Sequence, residues 1–383
     1  MKKVWNILSY VLVAMLASVL TLHLVSVNTE VSKLDQLAGL IEERFIGEVD
    51  KTAMEDAAAA AMVNSLGDRW SYYLSAEDYD SHMEQMKNAY VGIGVTIIAT
   101  EDGSGYEIIK VSPGGPAEEA GLVAGDIIIG AEGRSAEGMD SAALGALVKG
   151  EENTQVLLTI RRGEEEFDLH VTRKTVQVEV ATYQMLEGNI GLVTITNFDS
   201  RCAAETIAAI EALREQGAQS LIFDVRNNPG GYKDELVEVL NYLLPAGDLF
   251  RSEFYTGQVI VDESDETCLE MPMVVLVNSE SYSAAEFFAA ALREYDWATV
   301  VGSQTIGKGY FQTTIRLIDG SAVGLSVGKY TTPNGVSLAE VGGLTPDVVV
   351  EVDDETFWNI YAGIMDPEED PQIQAAVELL TNP

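Results

Sequence analysis

Two short stretches carry the residue types that could do covalent chemistry. Val277–Glu294 reads VNSESYSAAEFFAAALRE, and Thr305–Gln312 reads TIGKGYFQ. Ser283 admits two descriptions. With Glu286 three residues on, it is a capping box before an apolar helical run; it is also a hydroxyl at the end of a buried strand, placed to act as a nucleophile. A serine attacks a carbonyl only when a neighbour takes its proton, and the usual base is histidine. The chain has three histidines, His23, His82 and His170. None falls in the strand–helix region around Ser283, and an exposed carboxylate is too weak a base. A lysine can serve if burial brings its pKa down from about 10.4 towards neutrality. Lys308 is the candidate, set among Ile306, Tyr310 and Phe311 with a glycine on either side. Taken alone, G-K-G reads more simply as a surface lysine in a turn.

Those residues need strands and helices to hold them. Ile190–Thr196, Leu221–Val225 and Met273–Val277 are apolar strands, each followed by a helical pattern or a Gly-rich turn. Buried strands alternating with helices predict an α/β core over a mainly parallel sheet. In such sheets sites gather where strands end and helices begin. Ser283 and the turn RNNPGG both sit at such ends.

Before this core, residues 90–175 have a different texture of short β-type runs punctuated by Gly and Pro, with one helix at Asp140–Lys149. Gly92-Ile93-Gly94-Val95 opens the module and VSPGGPAEEAGLVAGDIIIGAEG follows. A Gly-rich loop leading into an exposed strand edge can aim backbone N–H groups at a peptide's carboxylate. These stretches resemble a PDZ domain of the bacterial protease-associated type. The resemblance implies that the amides of Ile93, Gly94 and Val95 hold a chain terminus.

The core resembles the carboxy-terminal processing peptidases, PDZ-containing Ser/Lys proteases. FDVRNNPGG, VLVNSESYSAAEFFAAALRE, VGSQTIGKGYFQ, KYTTPNG and GLTPDV occur in family order. The resemblance implies that Ser283 is the nucleophile, Lys308 its general base and Gln312 the residue orienting that lysine. It implies oxyanion donors at the amides of Ala284 and of Gly230 and Gly231. Asp224, Arg226 and Glu286 match further polar positions, although Glu286 is equally a cap and the other two equally turn stabilisers. Ser281 is the competing serine. In LGDRWSYYL, Arg69 stands where the family usually has proline.

The composition narrows the partners. The chain of 383 residues has 61 acidic and 23 basic residues, a net charge of −38. That surface repels nucleic acid. Cys202 and Cys268 lack metal-ligand spacing and read as separate thiols; no metal or organic cofactor is implied. Lys2 and Lys3 precede an uncharged apolar span, residues 4–29. About 20 residues cross a bilayer, so a single membrane anchor is expected, with a cytoplasmic amino terminus and the catalytic part outside the cytoplasm.

The expected organisation is then an anchor at 1–29, a helical region at 30–89, a PDZ domain at 90–175, the protease core at 176–352 and an acidic tail at 353–383 with two short helical stretches. Ser75–Asn88 reads as a polar linker. The expected function is membrane-anchored cleavage of proteins near apolar carboxy termini. The amino-terminal helices resemble self-association elements, which implies a homodimer. The rival readings are a catalytically silent PDZ scaffold at the membrane and a hydrolase of small esters or amides.

Overall fold

The computed structural model describes Met15 and residues 32–382. Residues Met1–Ser65 and Leu66–Pro383 are two compact units. In the first, helices Lys33–Arg44 and Lys51–Asn64 begin at capping side chains: Asp35 N–H donates to Ser32 Oγ at 3.1 Å, and Ala53 N–H to Asp50 Oδ1 at 3.0 Å. The expected anchor, residues 4–29, lies outside the described residues. Among the described residues, no helix is long and apolar enough to cross a membrane.

The second unit is built on a six-stranded sheet. Its order is Ala181–Leu186, Ile190–Ile195, Ser220–Asp224, Met273–Val277, Ala298–Gly302 and Val348–Val349. Only the first strand runs antiparallel to its neighbour. The central strands are buried and mostly apolar because both faces are covered. Leu221, Phe223, Val275 and Val277 face a core with helices Cys202–Glu215, Lys233–Leu243 and Ala284–Glu294. Ile222, Val274 and Leu276 face a second core closed by Ile373 and Ala376 of helix Pro371–Thr381. The acidic last segment has the two expected helical stretches, Asp354–Tyr361 and Pro371–Thr381, and the second covers one face of the sheet.

Two further departures from expectation bear on the site. Ser75–Asn88 is not a linker but mostly helix, Ala76–Gln85, capped by the Ser75 hydroxyl, which accepts from Asp78 N–H at 3.2 Å. A second, antiparallel sheet joins Tyr72–Leu74, Ala322–Thr331, Gly247–Phe254 and Val259–Ser264, with Tyr310–Arg316 also paired to Ala322–Thr331. The segment before the PDZ module thus belongs to the core that carries Lys308.

The PDZ module has its own sheet, ordered Val95–Ala99, Tyr106–Val111, Ile127–Ala131, Gln155–Arg162 and Glu165–Thr172, and its own core around Ile108, Leu158 and Ile160. Chain entry and exit pair as a two-stranded stalk, Ala89–Gly92 with Lys174–Gln177.

Candidate active site

The fully buried strand Met273–Val277 ends at Asn278, and a short turn delivers Ser283 to the start of helix Ala284–Glu294. Ser283 has φ +56° and ψ −124°, a conformation that non-glycine residues rarely adopt and that costs on the order of 1–3 kcal/mol. The following helix holds this geometry, since Ala284 to Leu292 are all buried. Ser281 is excluded as the nucleophile. It is 0% exposed, and its hydroxyl donates to Val225 O at 2.7 Å while accepting from Asn278 N–H at 3.0 Å.

Two strand-end turns are sewn together beside Ser283. Asn278 Nδ2 donates to Asn227 Oδ1 at 2.8 Å, and Asn227 N–H donates to Asn278 Oδ1 at 2.9 Å. Tyr282 N–H donates to Asn228 O at 3.1 Å. This brings the RNNPGG turn against Ser283, as expected, with one correction. The Gly230 N–H is already given to Asn228 Oδ1 at 2.8 Å, so Gly230 is not an open donor. Among the described residues, no acceptor within the chain takes the N–H of Gly231 or of Ala284. Gly231 has φ +151°, and a Cβ there would collide with the Phe198 carbonyl; the turn demands glycine. Ala284 is the first residue of its helix, where partial positive charge favours a developing anion.

Lys308 reaches the same cavity from the loop before Tyr310–Arg316. Gly307, at φ +81°, lets this loop pass close to the next one, since a Cβ there would lie 2.8 Å from Gly343 N. The Lys308 ammonium forms no hydrogen bond or ion pair among the described residues. Instead its Nζ stands 4.9 Å from the ring centroid of Trp70 and 5.7 Å from that of Tyr282. Burial lowers its pKa, opposed by the negative charges of Glu286 and Asp68. That direction is what a general base requires.

Glu286 does more than cap a helix. It is 0% exposed and accepts from Ser283 N–H at 3.0 Å, Lys308 N–H at 2.8 Å, Gly307 N–H at 2.8 Å and Thr305 Oγ1 at 2.5 Å. Burial raises its pKa, while these four donors favour its ionised form. One carboxylate therefore ties the backbone of Ser283 to that of Lys308.

The remaining sequence candidates fall in three places. Gln312 lines the cavity, but its amide nitrogen donates to Tyr310 O at 3.2 Å and Ser326 Oγ at 3.0 Å, not to Lys308; the strand pairing shifts register between Phe311 and Gln312. Asp224 and Arg226 lie away from the cavity. Their ion pair, 2.6 Å, continues from Arg226 to Asp370 at 2.8 Å and to Gln372 Oε1 at 2.9 Å, anchoring the last helix. Ile93 and Val95 line a separate cavity of about 690 Å³, with Gly94 between them at φ +78° and helix Ser141–Val148 on its wall.

The candidate cavity, about 700 Å³, joins Ser283, Ala284, Gly231 and Lys308 to an apolar wall of Leu236, Phe250, Phe287, Phe311 and Tyr330. Met83 and Met86 enter it from the segment ahead of the PDZ module. Asp199 also lines it; burial and nearby Glu235 push its carboxyl up to about 6. Sequence reasoning missed Asp199, Trp70, Asn228, Asn278 and Thr305. The asparagines had a signal, because both stand where an apolar strand gives way to a turn. Trp70 and Thr305 had none, since their roles arise from contacts between distant segments.

Comparison with known proteins fits this geometry. Residues 189–350 match peptidase family S41 and residues 107–162 match the PDZ domain. The carboxy-terminal processing protease CtpA of Bacillus subtilis (strain 168) is 35% identical over 358 residues, covering 89% of this chain and 76% of that protein. A "Probable CtpA-like serine protease" of Staphylococcus aureus (strain COL) is 32% identical over 330 residues, covering 85% of this chain and 65% of its own length. A solved structure from Bacteroides fragilis NCTC 9343, assigned to the S41 proteases, has a TM-score of 0.59 at 16% identity over 88% of this chain and 92% of its own, a likeness of fold. The chain belongs to the carboxy-terminal processing serine proteases of peptidase family S41 and carries their PDZ domain.

Proposed function

We propose that Ser283 and Lys308 form the catalytic dyad of an endopeptidase that cuts proteins near their carboxy termini. The observation that carries this reading is the convergence on one cavity of a strained Ser283, a half-buried lysine without a carboxylate partner, and two unclaimed N–H groups. Neutral Lys308 takes the Ser283 proton as Oγ attacks the substrate carbonyl. The N–H groups of Gly231 and Ala284 receive the oxyanion. Lys308 then protonates the leaving amine, and water, deprotonated by the same lysine, releases the acyl group. Gln312 acts on Lys308 once its side chain turns from Tyr310 and Ser326. The apolar wall favours an apolar residue before the cut.

The PDZ cavity receives the substrate's free, apolar carboxy terminus, with the amides around Ile93, Gly94 and Val95 on its carboxylate. Residues 4–29 anchor the protein, leaving the catalytic part outside the cytoplasm; the uncharged span after Lys2 and Lys3 supports this. Leu34, Leu37 and Leu40, all exposed on one helix, suit a homodimer. The test of this scheme is an unstructured protein ending in apolar residues, offered with a free or an amidated carboxy terminus. Cleavage that needs Ser283 and prefers the free terminus supports it. Equal cleavage of both removes the PDZ role, and a PDZ scaffold without activity would cleave neither.

A further inference from the structure

Trp70 and Tyr282 come from distant parts of the chain, yet both face the Lys308 amine. Their ring centroids lie 6.0 Å apart with planes at 32°, and Lys308 Nζ is within 4.9 and 5.7 Å of the two centroids. Trp70 is itself fixed. Its backbone N–H donates to Asp68 Oδ1 at 3.1 Å, and Ser71 Oγ donates to Asp68 Oδ2 at 2.6 Å. Ser71 also accepts from Ser326 N–H at 3.0 Å, pinning the segment to the second sheet, and the Arg69 guanidinium stands 4.1 Å from the Trp70 ring.

We infer that Trp70 is a positioning residue for the Lys308 base: with Tyr282 it shields the amine from water and fixes where it stands beside Ser283. This rests on Lys308 being the base. Two effects of the ring oppose each other. Its face attracts the ammonium, and its bulk excludes the water that would solvate the charge. Burial is the largest influence on Lys308 and lowers its pKa; with the Trp70 and Tyr282 rings standing over the amine, Trp70 is assigned to the shielding side, and the pH profile decides between the two effects. The charges acting on the amine are Glu286 from the helix and Asp68 from the upstream segment, with Arg69 over the Trp70 ring. Tyr282 faces it directly, and Tyr310, Asp199, His82 and Lys233 line the same cavity.

The test is the pH profile of kcat/KM for the full-length protein and its Trp70→Ala and Trp70→Phe variants, with Lys308→Ala alongside. Trp70→Ala is expected to move the acid limb up by about one pH unit, an approximately tenfold loss on that limb, because one pKa unit is a factor of ten in the neutral fraction. Trp70→Phe keeps an aromatic cover and leaves the limb in place. An unmoved limb with a uniform loss of rate means that Trp70 is only structural, and a limb moved down means that its pull on the charge dominates; either overturns the inference. Activity surviving in Lys308→Ala would instead remove the base itself. In Ser283→Ala carriers, the pH dependence of Lys308 acetylation, read by mass spectrometry on folded protein, gives the same shift without activity. If Trp70→Ala does not fold, Trp70→Leu is measured in the same two ways, and an unshifted Lys308 overturns the inference.

Discussion

Glu286 meets Lys308 through its backbone, not its ammonium: one carboxylate oxygen, Oε2, accepts both the Lys308 N–H at 2.8 Å and the Ser283 N–H at 3.0 Å. A carboxylate bonded to the ammonium would hold it charged and useless as a base. Bonded to the backbone, the same carboxylate sets the spacing between Ser283 and Lys308, the proposed nucleophile and base, while the amine stands under aromatic rings.

Glu286→Gln is the direct probe. Its amide nitrogen cannot accept, so at least one buried donor among Ser283, Thr305, Gly307 and Lys308 loses its partner, at about 1–3 kcal/mol. Misplacement of the reacting groups by about 1 Å costs about a hundredfold. The expected result is a lower melting temperature and a fall of about a hundredfold in kcat, with KM little changed, measured on an unstructured substrate.

Lys308→Met should abolish activity and raise stability. The fold depresses the Lys308 pKa, whereas an unfolded lysine keeps its proton below about pH 10.4. The folded state is therefore penalised at neutral pH, and the penalty disappears only above the unfolded pKa. Thermal melts should show the Met variant ahead by a few degrees at pH 7, with the gap closing above about pH 10.

Asp199 makes the opposite case for a carboxyl. Its folded pKa is raised to about 6 by burial and Glu235, so its ionisation works against the fold. The protonated form carries no penalty below about pH 3.9, and the penalty grows as the pH rises to about 6 and then levels off. Asp199→Asn should match the parent's melting temperature near pH 3.5 and exceed it at pH 7.5.

Arg226 lies outside the cavity that holds Ser283 and Lys308, between two buried carboxylates, Asp224 and Asp370. Arg226→Met leaves both unpaired, a loss of about 3–5 kcal/mol. Denaturant unfolding should show that loss. The kcat of the fraction still folded, counted by active-site labelling, should change less than threefold; a hundredfold change would make Arg226 part of the chemistry.

The legible parts of the sequence were those where local pattern and tertiary role coincide. Met273–Val277 is apolar because both sheet faces are covered, so strand, turn and Ser283 could be read in order. Lys308 could be reached by eliminating the histidines and by family resemblance. What escaped depends on contacts between distant segments. The strands Val259–Ser264 and Tyr310–Arg316 are largely exposed and show no buried run, so the antiparallel sheet left no apolar signature. The helical pattern at Pro371–Thr381 was legible, but its docking was not: Ile373 and Ala376 are buried against the sheet, with Ala375, Val377, Leu379 and Leu380 packed partly against the same core. Gly230 and Gly231 look equivalent in RNNPGG, and only the turn's fold spends one N–H on Asn228 and leaves the other open.

The most direct test of the Ser/Lys assignment is to incubate the full-length protein, Ser283→Ala and Lys308→Ala with an unstructured protein ending in apolar residues, and to map the products by mass spectrometry. Fragments cut near the carboxy terminus are expected from the parent alone. The same fragments from Lys308→Ala would contradict the assignment and place the base elsewhere in the cavity.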